Sequence, residues 1–235
     1  MSPQYAAAFP SAGSHLVRYA TRLSCVEINS SFYRSHRPAT YARWASSVPD
    51  HFRFSVKLSR EITHARRLRD TGDLVRAFLS EVGWLGGKLG PLLVQLPPSL
   101  AFDAVVGGTF FAILRDQFSG LVTCEPRHPS WFDGEADILL QRWHVARVAA
   151  DPAVVPAAAR TGGWAELAYY RLHGSPHMYY DPYGPDQLDS WKTALKGTVR
   201  RGIPTWCMFD NTARGEAAHD ALAMAARFGA EPSGA

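Results

Sequence analysis

Two rhythms of apolar residues alternate along this chain. Short runs of low polarity end abruptly in polar or charged residues, and between them lie longer stretches with apolar positions three and four apart. The short runs predict strands at residues 25–29, 52–58, 91–96, 120–125, 145–150, 167–172 and 204–209. The longer stretches predict helices at 14–23, 38–45, 70–83, 103–118, 134–143, 185–201 and 215–228, with Ser14 as an N-cap and Pro38 as a first helical residue. Residues 1–13 are expected to be loosely held, 30–37 to form a turn-rich loop, 59–70 a basic loop, 153–164 an irregular stretch and 229–235 a tail.

Strict strand–helix alternation implies a parallel sheet. Seven strands, each with a crossover, fall one short of the eight of a βα barrel. The chain opens on a helix, so the strand expected to be missing is the first. The expected fold is α/β: a single TIM-type (β/α) barrel domain over residues 1–235, lacking its usual first strand and therefore open at one edge. Such an edge invites pairing with another chain, a route to an oligomer.

Composition narrows the classes without choosing among them. The 46% hydrophobic and 20% charged content is that of an ordinary globular protein. A net charge of +4 permits an anionic partner without demanding one. Arginine outnumbers lysine 21 to 4, which follows from base composition more readily than from function but singles out each lysine. Three separated cysteines, Cys25, Cys124 and Cys207, argue against a disulfide framework or structural zinc and suit the cytoplasm. No stretch approaches the roughly 20 apolar residues of a membrane span, and residues 1–10 do not read as a secretory signal.

The strand ends carry the chemistry. In a barrel, alternate residues face inward and the C-terminal strand ends form the active-site mouth. A period of two then aligns Glu27 with Asn29, Ser55 with Lys57, and Leu93 with Gln95. It also aligns Thr123, Glu125 and Arg127, Ala149 with Asp151, Arg171 with His173, and Phe209 with Asn211. Seven polar ends in phase point to a site. Glu125 or Glu27 would serve as general base, with Asp151 as a further carboxylate. Arg127 and Arg171 suit bidentate recognition of carboxylate or phosphate. Lys57 is a point charge, or a base or Schiff-base amine where burial lowers its pKa. The same groups can instead neutralise one another as an ion lattice. No cofactor is required. Carboxylates with Gln95 or Asn211 permit Mg²⁺ through oxygen, whereas His173 and His128 are too few for the usual transition-metal set. Tyr180, with Tyr179 and Tyr183, lies on a loop able to stack a base or sugar. Arg60, His64, Arg66, Arg67 and Arg69 form a basic patch that suits either phosphates or solvent.

The motifs resemble the YecE-like family, domain of unknown function seventy-two. The matching pieces are Val26-Glu27-Ile28-Asn29-Ser30-Ser31-Phe32-Tyr33, Phe54-Ser55-Val56-Lys57 with Ile62-Thr63-His64, and residues 89–98. They continue with Glu125 and Arg127-His128-Pro129-Ser130-Trp131-Phe132, then Tyr170-Arg171-Leu172-His173-Gly174 and residues 209–215. The resemblance implies a TIM-type barrel akin in shape to endonuclease and sugar-isomerase barrels, and a family without an established reaction. Its motifs add Tyr33 and Trp131 to Asn29, Gln95, Arg127, Arg171, His173, Tyr180 and Asn211 as ligand-contact candidates. Three departures stand out: no opening Gly-Thr-Ser-Gly-Trp strand, Pro126 in place of an aromatic, and Asp210 where Asn is common. The expected function is an enzyme on a small anionic or phosphorylated substrate. The competing readings are a nucleic-acid-binding or processing protein and a non-catalytic ligand-binding barrel.

Overall fold

The computed structural model of the protein describes residues 3–229. The strands are β1 (Cys25–Ile28), β2 (Arg53–Lys57), β3 (Leu89–Gln95), β4 (Val122–Glu125), β5 (Val145–Arg147), β6 (Ala149–Asp151), β7 (Gly162–Gly163), β8 (Ala168–Leu172) and β9 (Thr205–Phe209). They form a six-stranded sheet in the order β1-β2-β3-β4-β5-β7 and a three-stranded sheet in the order β6-β8-β9. Every pairing is parallel except the short antiparallel one between β5 and β7. The fold is thus mixed α/β with a mostly parallel sheet. Among the described residues it is not closed: β1 pairs only with β2 and β9 only with β8.

The expected fifth strand is two pieces that change partner at Val148. Residues 145–147 continue the larger sheet beside β4, and residues 149–151 begin the smaller one beside β8. One run of chain therefore serves both sheets.

Helices α1 (His15–Ala20), α2 (Ser30–Tyr33), α3 (Pro38–Ser46), α4 (Gly72–Val82), α5 (Ala104–Gln117), α6 (Gly134–Arg142), α7 (Pro185–Val199) and α8 (Glu216–Gly229) supply the crossovers and the strand-to-helix turns. Their starts follow their sequence: Ser14 accepts from Val17 N–H, Asp103 from Val105 and Val106 N–H, and Asp133 from Ala136 N–H. The loop expected at 30–37 contains α2, and the basic loop contains a π-helical turn, Glu61–Ala65. Residues Pro3–Ala8, within the stretch expected to be loose, form a 3-10 helix whose Tyr5 hydroxyl bonds Glu216 and whose ring stacks on His219. Residues 1–2 and, of the expected tail, 230–235 lie outside the described residues.

Each strand turns one side chain in two toward the helices. Phe54, Val56, Leu92, Val94 and Val122 pack with Phe78, Phe110, Phe111 and Leu114 of α4 and α5, while Ala168, Tyr170 and Leu172 pack with Leu188, Leu195 and Met224 of α7 and α8. Each such large side chain, once fully buried, stabilises the fold by about 1.5–3 kcal/mol. The opposite, inner faces meet one another: Leu93, Val148, Ala150, Tyr169 and Met208 form their own cluster with Cys25 and Trp206. The Tyr169 and Trp206 rings stack at 6.2 Å. Gly90 has to be glycine here, because a Cβ would lie 2.5 Å from the Trp206 ring. A β9 side chain reaching β3 shows how strongly the sheets curve. No helix among the described residues is long and apolar enough to cross a membrane.

Candidate functional site

The inner cluster of side chains is apolar at its lower end and charged at the strand ends. The change occurs within single strands. Tyr169 and Arg171 of β8 share a face, as do Ser55 and Lys57 of β2 and Thr123 and Glu125 of β4, so period-two geometry carries each from packing to charge.

Arg171 is the hub and is 1% exposed. Its Nε donates to Glu27 Oε2 at 3.1 Å, and Nη2 donates to Glu27 Oε1 at 2.7 Å and Asp210 Oδ2 at 2.9 Å. Its Nη1 lies 2.5 Å from Glu125 Oε2. Three carboxylates from β1, from the end of β4 and from beyond β9 thus converge on one guanidinium. Glu125 Oε1 meets Arg127 Nη2 at 2.6 Å and His173 Nε2 at 3.1 Å. His173 Nδ1 lies 3.1 Å from Asp210 Oδ2. The Tyr169 hydroxyl lies 2.8 Å from both Glu27 Oε2 and Ser55 Oγ, with its single proton donated to the carboxylate. Bonds of this charge-assisted kind are the strong ones, and inside a protein they fix geometry.

Burial pushes the Glu125 carboxyl up, but Arg171 and Arg127 outweigh it and hold the group well below its usual range. Burial likewise acts on Asp210, where the His173 hydrogen bond and Arg171 win and the pKa falls. Burial works against the Arg171 charge, yet Glu125, Glu27 and Asp210 raise its pKa well above the usual value. Tyr169 is raised well above its ordinary value, by burial first and by the Glu27 charge next. These groups are locked in their charge states.

Lys57 is different. It is 8% exposed, and its Nζ sits 4.1 Å from the centre of the Phe32 ring of α2. Among the described residues no hydrogen bond or ion pair holds it. Burial, then the Arg171 charge, lower its pKa from 10.5 to about 8, against the opposing pull of Glu27, Glu125 and Asp210. Nearby polar atoms are also left over: Arg127 Nε and Asn29 Oδ1 are buried without a partner. Asn29 Nδ2 leans toward Asp210 Oδ1 at 3.4 Å.

Of the residues expected from sequence, Glu27, Lys57, Glu125, Arg127, Arg171 and His173 meet, with Asn29 at the edge. Two strands carry the opposite phase. Val148 and Ala150 face inward, not Ala149, and Trp206 and Met208 face inward, not Cys207 and Phe209, which pack toward α7 and α8. Asp151 accordingly leaves the cluster and accepts from the Tyr183 hydroxyl at 2.7 Å. That hydroxyl also accepts from the N–H of Gly174, whose φ of +95° favours glycine. Asn211 likewise turns away, its Nδ2 bonding Asp181 O at 3.0 Å and Asp220 Oδ2 at 2.7 Å. Asp210 takes the inward place that the phase gave to Asn211. Tyr169 was also missed, although it stands two residues before Arg171 and the same period reaches it.

The remaining candidates other than Gln95 lie apart from the cluster. Trp131 is buried under α5 and donates its indole N–H to Leu100 O at 2.9 Å. Tyr33 is 72% exposed. Tyr180 is exposed, with Arg214 5.7 Å from its ring centre. Gln95 pairs in register with Glu125 at the end of β3. Arg66 and Arg69 of the basic stretch pair with Glu61 and Asp103, and Arg67 bonds Ser99. A cation at the centre of the three carboxylates would compete with Arg171 for the oxygens it already holds. No group of three or more metal-ligating side chains is found among the described residues.

Comparison with known proteins bears on the whole chain. The family model described as Protein of unknown function DUF72 matches residues 2–235. The UPF0759 protein YecE of Escherichia coli (strain K12) is 34% identical over 129 residues, 54% of this chain and 47% of that protein. The corresponding protein of Escherichia coli O157:H7 is 33% identical over the same length. The match therefore spans about half the length of these curated relatives. A DUF72 family protein of Enterococcus faecalis V583 superposes with a TM-score of 0.80 at 20% identity, over 92% of this chain and 94% of that one. One from Thermotoga maritima MSB8 gives 0.77 at 21%, over 94% and 92%. At such identities the solved structures speak for the fold.

Proposed function

The chain belongs to the family of proteins of unknown function DUF72, and we propose that it is an enzyme acting on a small anionic substrate at the strand ends, with Lys57 as the proton-transferring or nucleophilic amine. The observation that carries this reading is Lys57 itself: a side chain 8% exposed, its amine lowered to about 8 and without a hydrogen-bond or ion-pair partner among the described residues. A structural lysine in such a place would normally pair with one of the carboxylates beside it. A pKa near the working pH is what a general base or an amine nucleophile needs.

In this reading Arg171, Glu125 and Asp210 form a rigid floor of fixed charge, with Glu27 and His173 hydrogen-bonded into it. The substrate anion lies over it against Lys57 and the unpartnered Arg127 Nε, while Asn29 Oδ1 accepts from a substrate donor. The positive charge on Lys57 attracts the anion at neutral pH, and its deprotonated fraction takes a proton or adds to a carbonyl carbon. The fold in this proposal is an incompletely closed βα barrel, with the site at the end where such barrels place their chemistry. Three free cysteines agree with a cytoplasmic setting.

The test is a screen of small phosphorylated and carboxylated carbonyl compounds against wild type, Lys57→Met and Lys57→Arg. Turnover by wild type should fall roughly 10²–10⁴-fold in Lys57→Met. Trapping with borohydride separates the two roles, since only an imine on Lys57 leaves a stable adduct there. Full turnover by Lys57→Met would overturn the assignment.

A further inference from the structure

Strand β2 ends at Lys57, and the chain then makes the π-helical turn Glu61–Ala65, which carries His64. The turn is closed by Arg66 N–H on Glu61 O at 2.9 Å. Turns of this kind are uncommon and gather at functional sites. Ile62 and Thr63 are buried and anchor it, while His64 is left half-buried. The His64 ring meets the Phe32 ring with centroids 4.9 Å apart and planes at 80°. Phe32 is also the ring that Lys57 faces at 4.1 Å. An imidazole and an amine therefore share one aromatic neighbour at the strand ends.

The imidazole is held by one nitrogen only. Its Nδ1 lies 2.8 Å from Thr63 Oγ1, and that hydroxyl lies 3.3 Å from Ser59 O. A carbonyl can only accept, so both contacts are satisfied when the hydroxyl donates to Ser59 and accepts Nδ1–H. Nε2 then carries the lone pair, and among the described residues no group bonds it. Burial first, then the charges of Lys57 and Arg60, lower the His64 pKa below its ordinary 6.5. At neutral pH the ring is a free base beside an amine that mostly keeps its proton.

We propose that His64 Nε2 is the proton acceptor that works opposite Lys57, and that the pair enolises a small anionic carbonyl compound. This rests on the role given to Lys57 above and adds a second residue and a reaction class to it. The C–H bond beside the carbonyl breaks, its proton passes to Nε2, and its electron pair forms the C=C bond of the enol. The carbonyl π pair moves onto oxygen, which takes a proton from the Lys57 ammonium. Where Lys57 has instead joined the carbonyl carbon as a protonated imine, the imine nitrogen receives that pair. In both cases Lys57 is not available for the C–H proton, so a second base is required. The carboxylates do not suit the task. Glu125 and Asp210 are held below their usual range, and a carboxylate stabilised as the anion is a weak proton acceptor. Glu27 has both oxygens on Arg171, with the Tyr169 hydroxyl added to one of them. The lone pair of His64 Nε2 has no such partner.

Pyruvate and dihydroxyacetone phosphate are the probes, each an anion with C–H bonds beside a carbonyl. The readout is exchange of those hydrogens in heavy water, followed by NMR. Wild type should exchange at least one of the two. His64→Gln keeps a polar side chain but cannot carry the proton, and should lose roughly 10²–10⁴-fold of that rate. Its melting temperature should not change, and its Lys57 should still titrate near 8. Free imidazole should restore part of the rate in His64→Gly, which a structural role would not allow. The wild-type rate should fall on acidification as Nε2 gains its proton, a dependence that His64→Gln lacks. Nitrogen NMR shifts of His64 in the unaltered protein need no variant to fold, and should show Nδ1 protonated and Nε2 bare. Nε2 protonated in the neutral ring overturns the proposal, as does full exchange by His64→Gln where Lys57→Met has lost it; both leave Lys57 in its role. Wild type that gives a borohydride-trapped adduct on Lys57 but exchanges neither probe has the same meaning. Neither exchange nor trapping by wild type, or full exchange by Lys57→Met, overturns both readings.

Discussion

Lys57 holds its ammonium 4.1 Å from the centre of the Phe32 ring, facing an aromatic surface where Arg127 and Arg171 face carboxylates. The relationship separates one cation from the ionic lattice around it. A ring face attracts a cation by about 0.5–2 kcal/mol, which favours keeping the amine in place but leaves its proton labile.

The first expectation concerns that proton. With methyl-labelled lysine, Lys57 should titrate near 8 in a pH series followed by NMR, because burial and Arg171 lower it. A rate that depends on the neutral amine should rise through the same pH. A titration at the ordinary value of 10.5 would remove Lys57 from the proposed role.

Replacing the amine should stabilise the protein. In the folded state Lys57 has its pKa lowered to about 8, so between that value and 10.5 the unfolded chain binds more protons. The penalty of burying its charge is full below pH 8 and is relieved as pH rises toward 10.5. Lys57→Met should therefore gain stability at neutral pH, on the order of 3 kcal/mol as an upper figure. It should also lose the alkaline rise that wild type shows. Thermal melts of both proteins across this window provide the measurement, and a melting temperature lowered at pH 7 would contradict the account.

Arg171→Met should do the reverse. It leaves Glu27, Glu125 and Asp210 without their shared cation, which should cost about 3–5 kcal/mol. The pH dependence should change sign as well. In wild type the Glu125 carboxyl is held low, so its contribution is present above its unfolded pKa and is lost as pH falls through the folded value. In the variant the crowded carboxylates prefer protons, and stability should improve on acidification. Urea melts from pH 7.5 down through the ordinary carboxylate range decide it, and equal acid sensitivity in both proteins would refute the shared-cation picture.

Trp131→Phe should weaken the fold by about 1–3 kcal/mol, because the buried Leu100 carbonyl loses its donor. The Lys57 titration should not move. A variant with unchanged stability but altered substrate KM would return Trp131 to the ligand.

Much of this was legible in the chain. Strand positions followed from low-polarity runs, and the inward phase held wherever a strand was polar on one face only. Ser55 with Lys57 and Glu125 beside Cys124 are such cases. It reversed where both faces are apolar. Residues 205–209 read Thr-Trp-Cys-Met-Phe, and nothing in those five side chains tells the barrel side from the helix side. Asp210 and Asn211 both follow that run, so either phase ends on a polar residue, and a slip of one residue exchanges the two faces entirely. Residues 145–151 failed for the same reason, compounded by the break at Val148. The pairing of Arg171 with Glu27 spans 144 positions, and no local pattern encodes it.

The change of partner at Val148 also bears on how the chain assembles. Glu27 and Glu125 stand on the six-stranded sheet, and Arg171 on the three-stranded one. A guanidinium cannot be desolvated ahead of its carboxylates without a large penalty. The cation and its carboxylates are thus expected to leave water together, so that the docking of one sheet on the other and the completion of the ionic cluster are a single event.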